Sequence, residues 1–425
     1  MQEIKLGLIP SPGLPAELTS NFVNELPGYL SSHVDHSVTW KPEIIIEPLV
    51  GSAEYLRLLM DKAINLKHKN NWDYVICITD LPQFMDKHVV VADINTFNRV
   101  ALISIPAFGA FPMKHRTKRT IRNILKDIHE EVKLPSLSRQ QYKTLQKKPW
   151  FSFVKRMTLH NTNKKQSEYQ QDVEKQDKTE DEDDENKDEE TQEDPENKTD
   201  IRYIVKSKFI GKCRLLLGMT VANRPWTALL SFKKILMLAF GTGIYITIFP
   251  TPWELSTIYS VPRFILLTSF AVLGMVTWII FAHNLWEKPT KKGDVRLRKL
   301  YNYTTITTLL VIILINYVVL FCLFLSAIGI FVPPGLFEAG AELQGDPSIK
   351  HYFQLTWLVT SLGTLAGSIG TASEHQDKIR QITYSYRQAN RYYEIENENK
   401  VKQDDEDQQT HSKDSQLIEN TRGDY

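Results

Sequence analysis

Cysteine is scarce in this chain, three residues in 425, and Cys77, Cys213 and Cys322 lie too far apart for a Cys-x-x-Cys pair or a Cys/His zinc spacing. A disulfide-stapled scaffold is excluded, and the three thiols read as free groups in a reducing compartment. Charge of one sign is missing as well: 51 Lys and Arg stand against 50 Asp and Glu, which argues against nucleic acid as a partner. There is no Gly-x-x-x-x-Gly-Lys-Ser/Thr phosphate loop, no Gly-x-Ser-x-Gly nucleophile turn and no paired Cys-x-x-Cys. The first ten residues lack the basic start, apolar core and cleavage site of a signal peptide. The amino-terminal segment is therefore expected to stay on the side where it is made.

What is present is sharply segregated. Residues 1–200 are mostly polar, whereas 227–372 hold four apolar runs, about 229–250, 264–283, 303–332 and 352–371. Each is near the roughly 20 residues that cross about 30 Å of hydrocarbon as helix. The expectation is an all-α, four-helix transmembrane bundle in the lipid bilayer. Lys and Arg set its orientation: six fall between Ile201 and Trp226, none between Thr251 and Pro262, six between Glu287 and Asn302, one between Pro333 and His351, and four between Ser373 and Arg391. The alternation places both termini in the cytosol. Inside the runs stand hydroxyls and amides such as Thr304, Thr305, Thr307, Thr308, Asn316 and Ser326, with no acidic or Arg pathway of the kind that marks a coupled transporter. Gly363-x-x-x-Gly367 followed by Gly370 offers a surface for close helix approach, either within the bundle or against a second copy of the chain as a homo-oligomer.

Between Glu168 and Asp200 seventeen residues are Asp or Glu and almost none is aliphatic. Such a tract buries too little apolar surface to fold, so 134–200 reads as a linker, basic and then acidic, acting as a solvated spacer. Arg202, Lys206, Lys208, Lys212, Arg214 and Arg224 make 201–226 a basic juxtamembrane segment suited to anionic lipids. The tail, 373–425, turns polar again and reads as cytosolic and disordered toward its end.

Residues 1–133 alternate strand and helix patterns: strands near 3–10, 38–47, 74–79, 89–93 and 99–105, with helices near 15–31 and 52–69 and a last one carrying Ile121, Ile124, Leu125, Ile128 and Val132 on one stripe. This predicts a three-layer α/β domain with a mostly parallel sheet; a zincin-like fold is the alternative. In such sheets the binding crevice lies beyond the carboxyl ends of the parallel strands. The candidate ligand-binding residues are therefore Ser11 and Gly13 after the first strand, Thr79 and Asp80 at the end of the third, and Ser104 at the end of the fifth, with Asp93 as a further carboxylate for a metal or hydroxyl. No catalytic residue, metal ligand set or cofactor is specified.

Two enzymatic patterns are nearly met. His129-Glu130-Glu131-Val132-Lys133 carries the first His and the Glu of a zinc-protease helix, but Lys133 occupies the place of the second imidazole, and an ammonium has no lone pair for zinc. Val50-Gly51-Ser52-Ala53-Glu54-Tyr55 resembles the turn before the Tyr and Lys of methylenetetrahydrofolate dehydrogenase/cyclohydrolases; here, however, the nearest lysine after Tyr55 is Lys62, two helical turns or about 10 Å away. That chemistry is kept as the alternative to a binding role, beside an oligomeric channel or transporter subunit.

Gly218-Met219, Asn223-Arg-Pro-Trp226, His283-Asn-Leu-Trp-Glu287, Ser361-Leu-Gly-Thr-Leu-Ala-Gly367 and Tyr384 to Arg387, together with Gly7-Leu-Ile-Pro10, Trp72-Asp-Tyr74, Thr79-Asp-Leu-Pro82 and Val100 to Pro106, resemble a widespread family of bacterial integral membrane proteins without an assigned reaction. The resemblance implies a membrane bundle carrying a cytosolic α/β domain. It brings no catalytic residue with it.

Overall fold

The computed structural model describes residues 2–48, 56–133, 151–158, 201–227, 232–287 and 295–370. The chain divides into two compact units, one reaching to Met219 and the other beginning at Thr220.

The first unit is built on an eight-stranded sheet. Its strands are β1 (Gln2–Pro10), β2 (Val38–Ile44), β3 (Tyr74–Thr79), β4 (Phe84–Met85), β5 (His88–Asn95), β6 (Val100–Ser104), β7 (Val154–Thr158) and β8 (Ile201–Val205). The order is β2-β1-β3-β6-β5-β8-β7, with β4 paired to β5. β2, β1, β3 and β6 run parallel, while β5, β8 and β7 add antiparallel on one side. The sheet is thus mixed rather than mostly parallel, and the domain does not stop at residue 133: β7 comes from the stretch read as linker and β8 from the stretch read as juxtamembrane. The acidic tract between Glu168 and Asp200 lies outside the described residues, as does the tail from Thr371 onward.

Every residue of β3 and β6 is buried, as expected of central strands covered on both faces. On one face Ile9, Val75, Cys77, Val100 and Leu102 pack with Trp72 and with Met60, Ala63, Ile64 and Leu66 of α3 (Leu56–Lys69). Alternation along the strands turns Tyr74 and its neighbours to the other face. There α4 (Met113–Lys133) lays down Ile121, Ile124, Leu125 and Ile128, all fully buried. Each contributes roughly 1.5–3 kcal/mol by leaving water. Two short helices, α1 (Leu14–Ser20) and α2 (Leu26–His33), connect β1 to β2, and α5 (Lys208–Ala222) follows β8.

The second unit packs α6 (Lys233–Thr247), α8 (Val261–Ala282), α9 (Val295–Phe331) and α11 (Ile349–Gly370) against one another, with α7 (Pro250–Ile258) and α10 (Pro334–Gly340) as short pieces between them. Among the described residues two helices, α8 and α9, are long and apolar enough to cross a membrane; the pair α6 and α7 counts as a third only if its 90° bend is one broken span. The bend has a local cause. Pro250 has no N–H to continue the α6 ladder, and Phe249 before it is extended, with φ −85° and ψ 141°. α11 has 22 residues, but Gln354, Thr356, Thr360, Ser361, Thr364 and Ser368 dilute its apolar character. Four of these hydroxyls are answered within the helix, as where Thr360 donates to the carbonyl of Thr356 at 2.7 Å and Thr364 to that of Thr360 at 2.8 Å. Across helices, Thr268, Tyr317, Ser361 and the Trp357 indole form one cluster, with Trp357 Nε1 donating to Thr268 Oγ1 at 2.7 Å and Tyr317 Oη 2.8 Å from Ser361 Oγ.

Candidate functional site

The carboxyl edge of the parallel strands does bring the expected residues together. Thr79 and Ser104 are register partners on β3 and β6, and Ser11 Oγ donates to Asp80 Oδ1 at 3.1 Å. All four are buried, and each holds the edge itself. Ser11 N–H donates to the Ile78 carbonyl at 2.9 Å, Thr79 Oγ1 accepts from Leu81 N–H at 3.1 Å, and Ser104 Oγ donates to the Leu81 carbonyl at 2.6 Å. Gly13 takes φ 91°, a conformation that suits glycine, at the head of the seven-residue α1. Prolines 10, 12 and 15 remove donors from this turn. The cluster shapes the strand ends.

Asp93 is placed elsewhere, in the antiparallel half. Arg202 of β8 grips it with two bonds, Nε to Oδ1 at 2.6 Å and Nη2 to Oδ2 at 2.9 Å. Burial pushes the Asp93 carboxyl upward and the Arg202 charge opposes it. This pairing also commits Arg202, one of the cations assigned to lipid headgroups, to the interior of the sheet. Lys206 donates to the Ser152 carbonyl at 2.8 Å.

His129, the first residue of the zinc-like pattern, bridges two elements. Its Nε2 lies 3.0 Å from Asp35 Oδ2 and its Nδ1 2.9 Å from Tyr74 Oη. A carboxylate only accepts, so Nε2–H donates to Asp35. The chain Tyr74–His129–Asp35 has the connectivity of an acid–base relay, but Tyr74 is 3% exposed and Trp40, 1% exposed, lies edge-on to the imidazole. Burial raises the Tyr74 pKa. The relay ties α4 to β3 and to the end of α2. Among the described residues no group of three or more His, Cys, Asp or Glu could hold a metal ion, and burial pushes the Cys77 thiol up to about 12, which leaves it inert. Tyr55 of the folate-like turn lies outside the described residues; Lys62 donates to Glu47 Oε1 at 2.7 Å.

The feature that sequence reading missed sits just beyond β6. The 3-10 turn Ile105–Phe108 ends in Gly109 at φ 80°, and the Phe108 carbonyl faces two guanidinium groups: Arg116 donates through Nη1 in a short contact and Arg214 approaches at 3.5 Å. Arg214 lies over the Phe153 ring at 3.9 Å, Arg116 over the same ring at 5.7 Å, and Arg119 over Phe151 at 5.1 Å. Phe151 and Phe153 stack on each other with centroids 5.2 Å apart. Three cations thus ring one aromatic pair, and among the described residues none of them pairs with a carboxylate. Burial and then the like charge of Arg214 lower the Arg116 pKa. Arg116 and Arg119 carried no signal in the sequence pattern, Arg214 was assigned to lipid, and Phe151 and Phe153 stood in the presumed linker.

No family model, no curated protein and no solved structure matches the chain.

Proposed function

We propose that the chain is a multi-pass membrane protein whose helix bundle anchors a cytosolic α/β domain that recognises a ligand or a partner protein, in a signalling, scaffolding or envelope-stress role rather than in catalysis. The observation that carries this reading is the outward surface of α8 and α9. Leu266, Phe270, Phe281, Val318, Ile330 and Phe331 are all more than half exposed. Single exposed apolar side chains are ordinary, but this many on two long apolar helices match hydrocarbon rather than water. α9 has 37 residues, about 55 Å of helix, so its basic start with Arg296, Arg298 and Lys299 can stand clear of the hydrocarbon in the cytosol. The alternation of Lys and Arg supports termini on that same side, and α6 and α11, packed on the two apolar helices, would complete four crossings. A binding role is preferred because the polar groups at the strand ends and the Tyr74–His129–Asp35 chain are occupied with one another.

Washing membranes with alkaline carbonate tests the anchor. The full chain should remain in the pellet and need detergent for release, and protease added to intact cells should spare the α/β domain until the membrane is permeabilised. Release by carbonate, or cleavage of that domain in intact cells, would overturn the reading.

A further inference from the structure

We propose that Arg116, Arg119 and Arg214, gathered around Phe151 and Phe153, form a binding site for a phosphate-type oxyanion. The inference deepens the binding role proposed above and names the class of ligand.

Three electrostatic features of the cluster work against its own stability unless an anion is present. Arg116 and Arg119 stand three apart on α4, where like charges face one another and repel. Arg116 also closes the first turn of a 21-residue helix, where the backbone dipole favours anions and disfavours cations. Lys114 and Lys118, on the other flank of the same turns, are compensated by Glu25 at 3.4 and 2.9 Å; Arg116 and Arg119 have no such partner among the described residues. The third guanidinium, Arg214, arrives from α5, beside the left-handed Gly109, whose absent Cβ would lie 3.6 Å from the Arg214 Cγ and 3.8 Å from Arg116 Nη1. The Nε atoms of Arg119 and Arg214 are buried without a hydrogen-bond partner among the described residues. Contacts with aromatic faces partly explain the arrangement, since a guanidinium stacks well on a ring. One arginine on the stacked pair would satisfy that role. Three, with unspent donors and no carboxylate among the described residues, are the arrangement that recognises a tetrahedral oxyanion through forked hydrogen bonds.

The cluster also lies at the carboxyl edge of β6, the side of the sheet where α/β domains take ligands. The phosphate could belong to a soluble phosphate compound or to a lipid headgroup, and the shared chemistry is the same.

The test uses the full chain in phosphate-free buffer at constant ionic strength, with inorganic phosphate as the soluble probe. Nanodiscs of phosphatidylcholine, with and without phosphatidic acid, supply the headgroup arm. The wild-type α/β domain should melt about 4 °C higher with saturating phosphate or with phosphatidic acid than with matched chloride or phosphatidylcholine alone. A response to phosphatidic acid only assigns the lipid source; a response to free phosphate assigns the soluble one. In the double variant Arg119→Gln/Arg214→Gln the shift should vanish, while the melting point without phosphate stays at or above that of the wild type because repulsion is relieved. Single Arg119→Gln should at least halve the shift, which keeps the test decisive if the double variant fails to fold. No wild-type response in either arm, a shift that survives in the variants, or an equal loss of stability with and without phosphate would overturn the proposal. Any of these outcomes would leave the carbonate result, and with it the anchored-domain reading, unaffected.

Discussion

At the scale of single residues, a charge inside the sheet of the α/β domain is held by an opposite one. Asp93 and Arg202 show it best: the carboxylate is 3% exposed and is bound by both ends of the fork. Arg202→Met should cost roughly 3–5 kcal/mol, because the loss leaves a buried carboxylate without its counter-charge. Burial already raises the Asp93 pKa, and the variant raises it further, so the native state then holds a proton that the unfolded chain gives up. The variant should therefore gain stability as pH falls and lose it as pH rises, and Asp93→Leu added to it should recover most of the loss. Urea melts of the α/β domain at pH 5 and pH 8 would show both effects. In the second unit Glu287 sits between α8 and α9. Its N–H donates to Asn302 Oδ1 at 2.9 Å, while its Oε1 is buried without a hydrogen-bond partner among the described residues. Burial pushes its pKa from 4.5 up to about 7, with Arg298 opposing. Between those values the folded chain keeps the proton and the unfolded chain does not, so stability falls as pH rises through the window. Glu287→Gln should flatten that dependence and melt higher than the wild type at pH 8.

At the scale of elements, the sequence pattern was legible where one period dominates and the chain is continuous. The buried stripe Ile121, Ile124, Leu125 and Ile128 marked α4, and the apolar runs of β3 and β6 marked the sheet centre. β7 and β8 were illegible for a physical reason. They pair with each other in antiparallel register, Val154 opposite Val205 and Thr158 opposite Ile201, yet 42 residues, 159–200, separate them, and local patterns carry no information across such an insertion. Arg202 was misread along with them, since its Asp93 partner is fixed only by the β5–β8 register. The first apolar run, read as a span over 229–250, holds the helix α6 (Lys233–Thr247), which gives way at Pro250 to a 90° bend into α7. The glycine stripe has an intrachain explanation: a Cβ at Gly363 would come within 2.8 Å of the Ala239 carbonyl, and one at Gly367 within 2.9 Å of Ala239 Cβ. These residues seat α11 on α6. Gly363→Leu should accordingly lower bundle stability by roughly 1–3 kcal/mol with no change of oligomeric mass in detergent. A changed mass at unaltered stability would instead indicate pairing between copies.

At the scale of the whole molecule, the two units face different demands. The first hides its apolar surface against its own sheet, and the second wears apolar side chains outward on α8 and α9. The binding chemistry was the least legible part of the sequence. Ser11, Thr79, Asp80 and Ser104 did converge, as the strand-end rule predicts, but their hydrogen bonds close the edge, whereas Arg116, Arg119 and Arg214 come from two helices and meet only through the fold. Solvent around the second unit decides the account, and the three cysteines report it. Cys77 is buried, whereas Cys213 on α5 and Cys322 on α9 are both exposed. A charged maleimide applied to permeabilised membranes should modify Cys213 readily and leave Cys77 and Cys322 unmodified until the protein is denatured, because lipid covers Cys322. Labelling of Cys322 at the rate of Cys213 would place α9 in water and contradict the central claim.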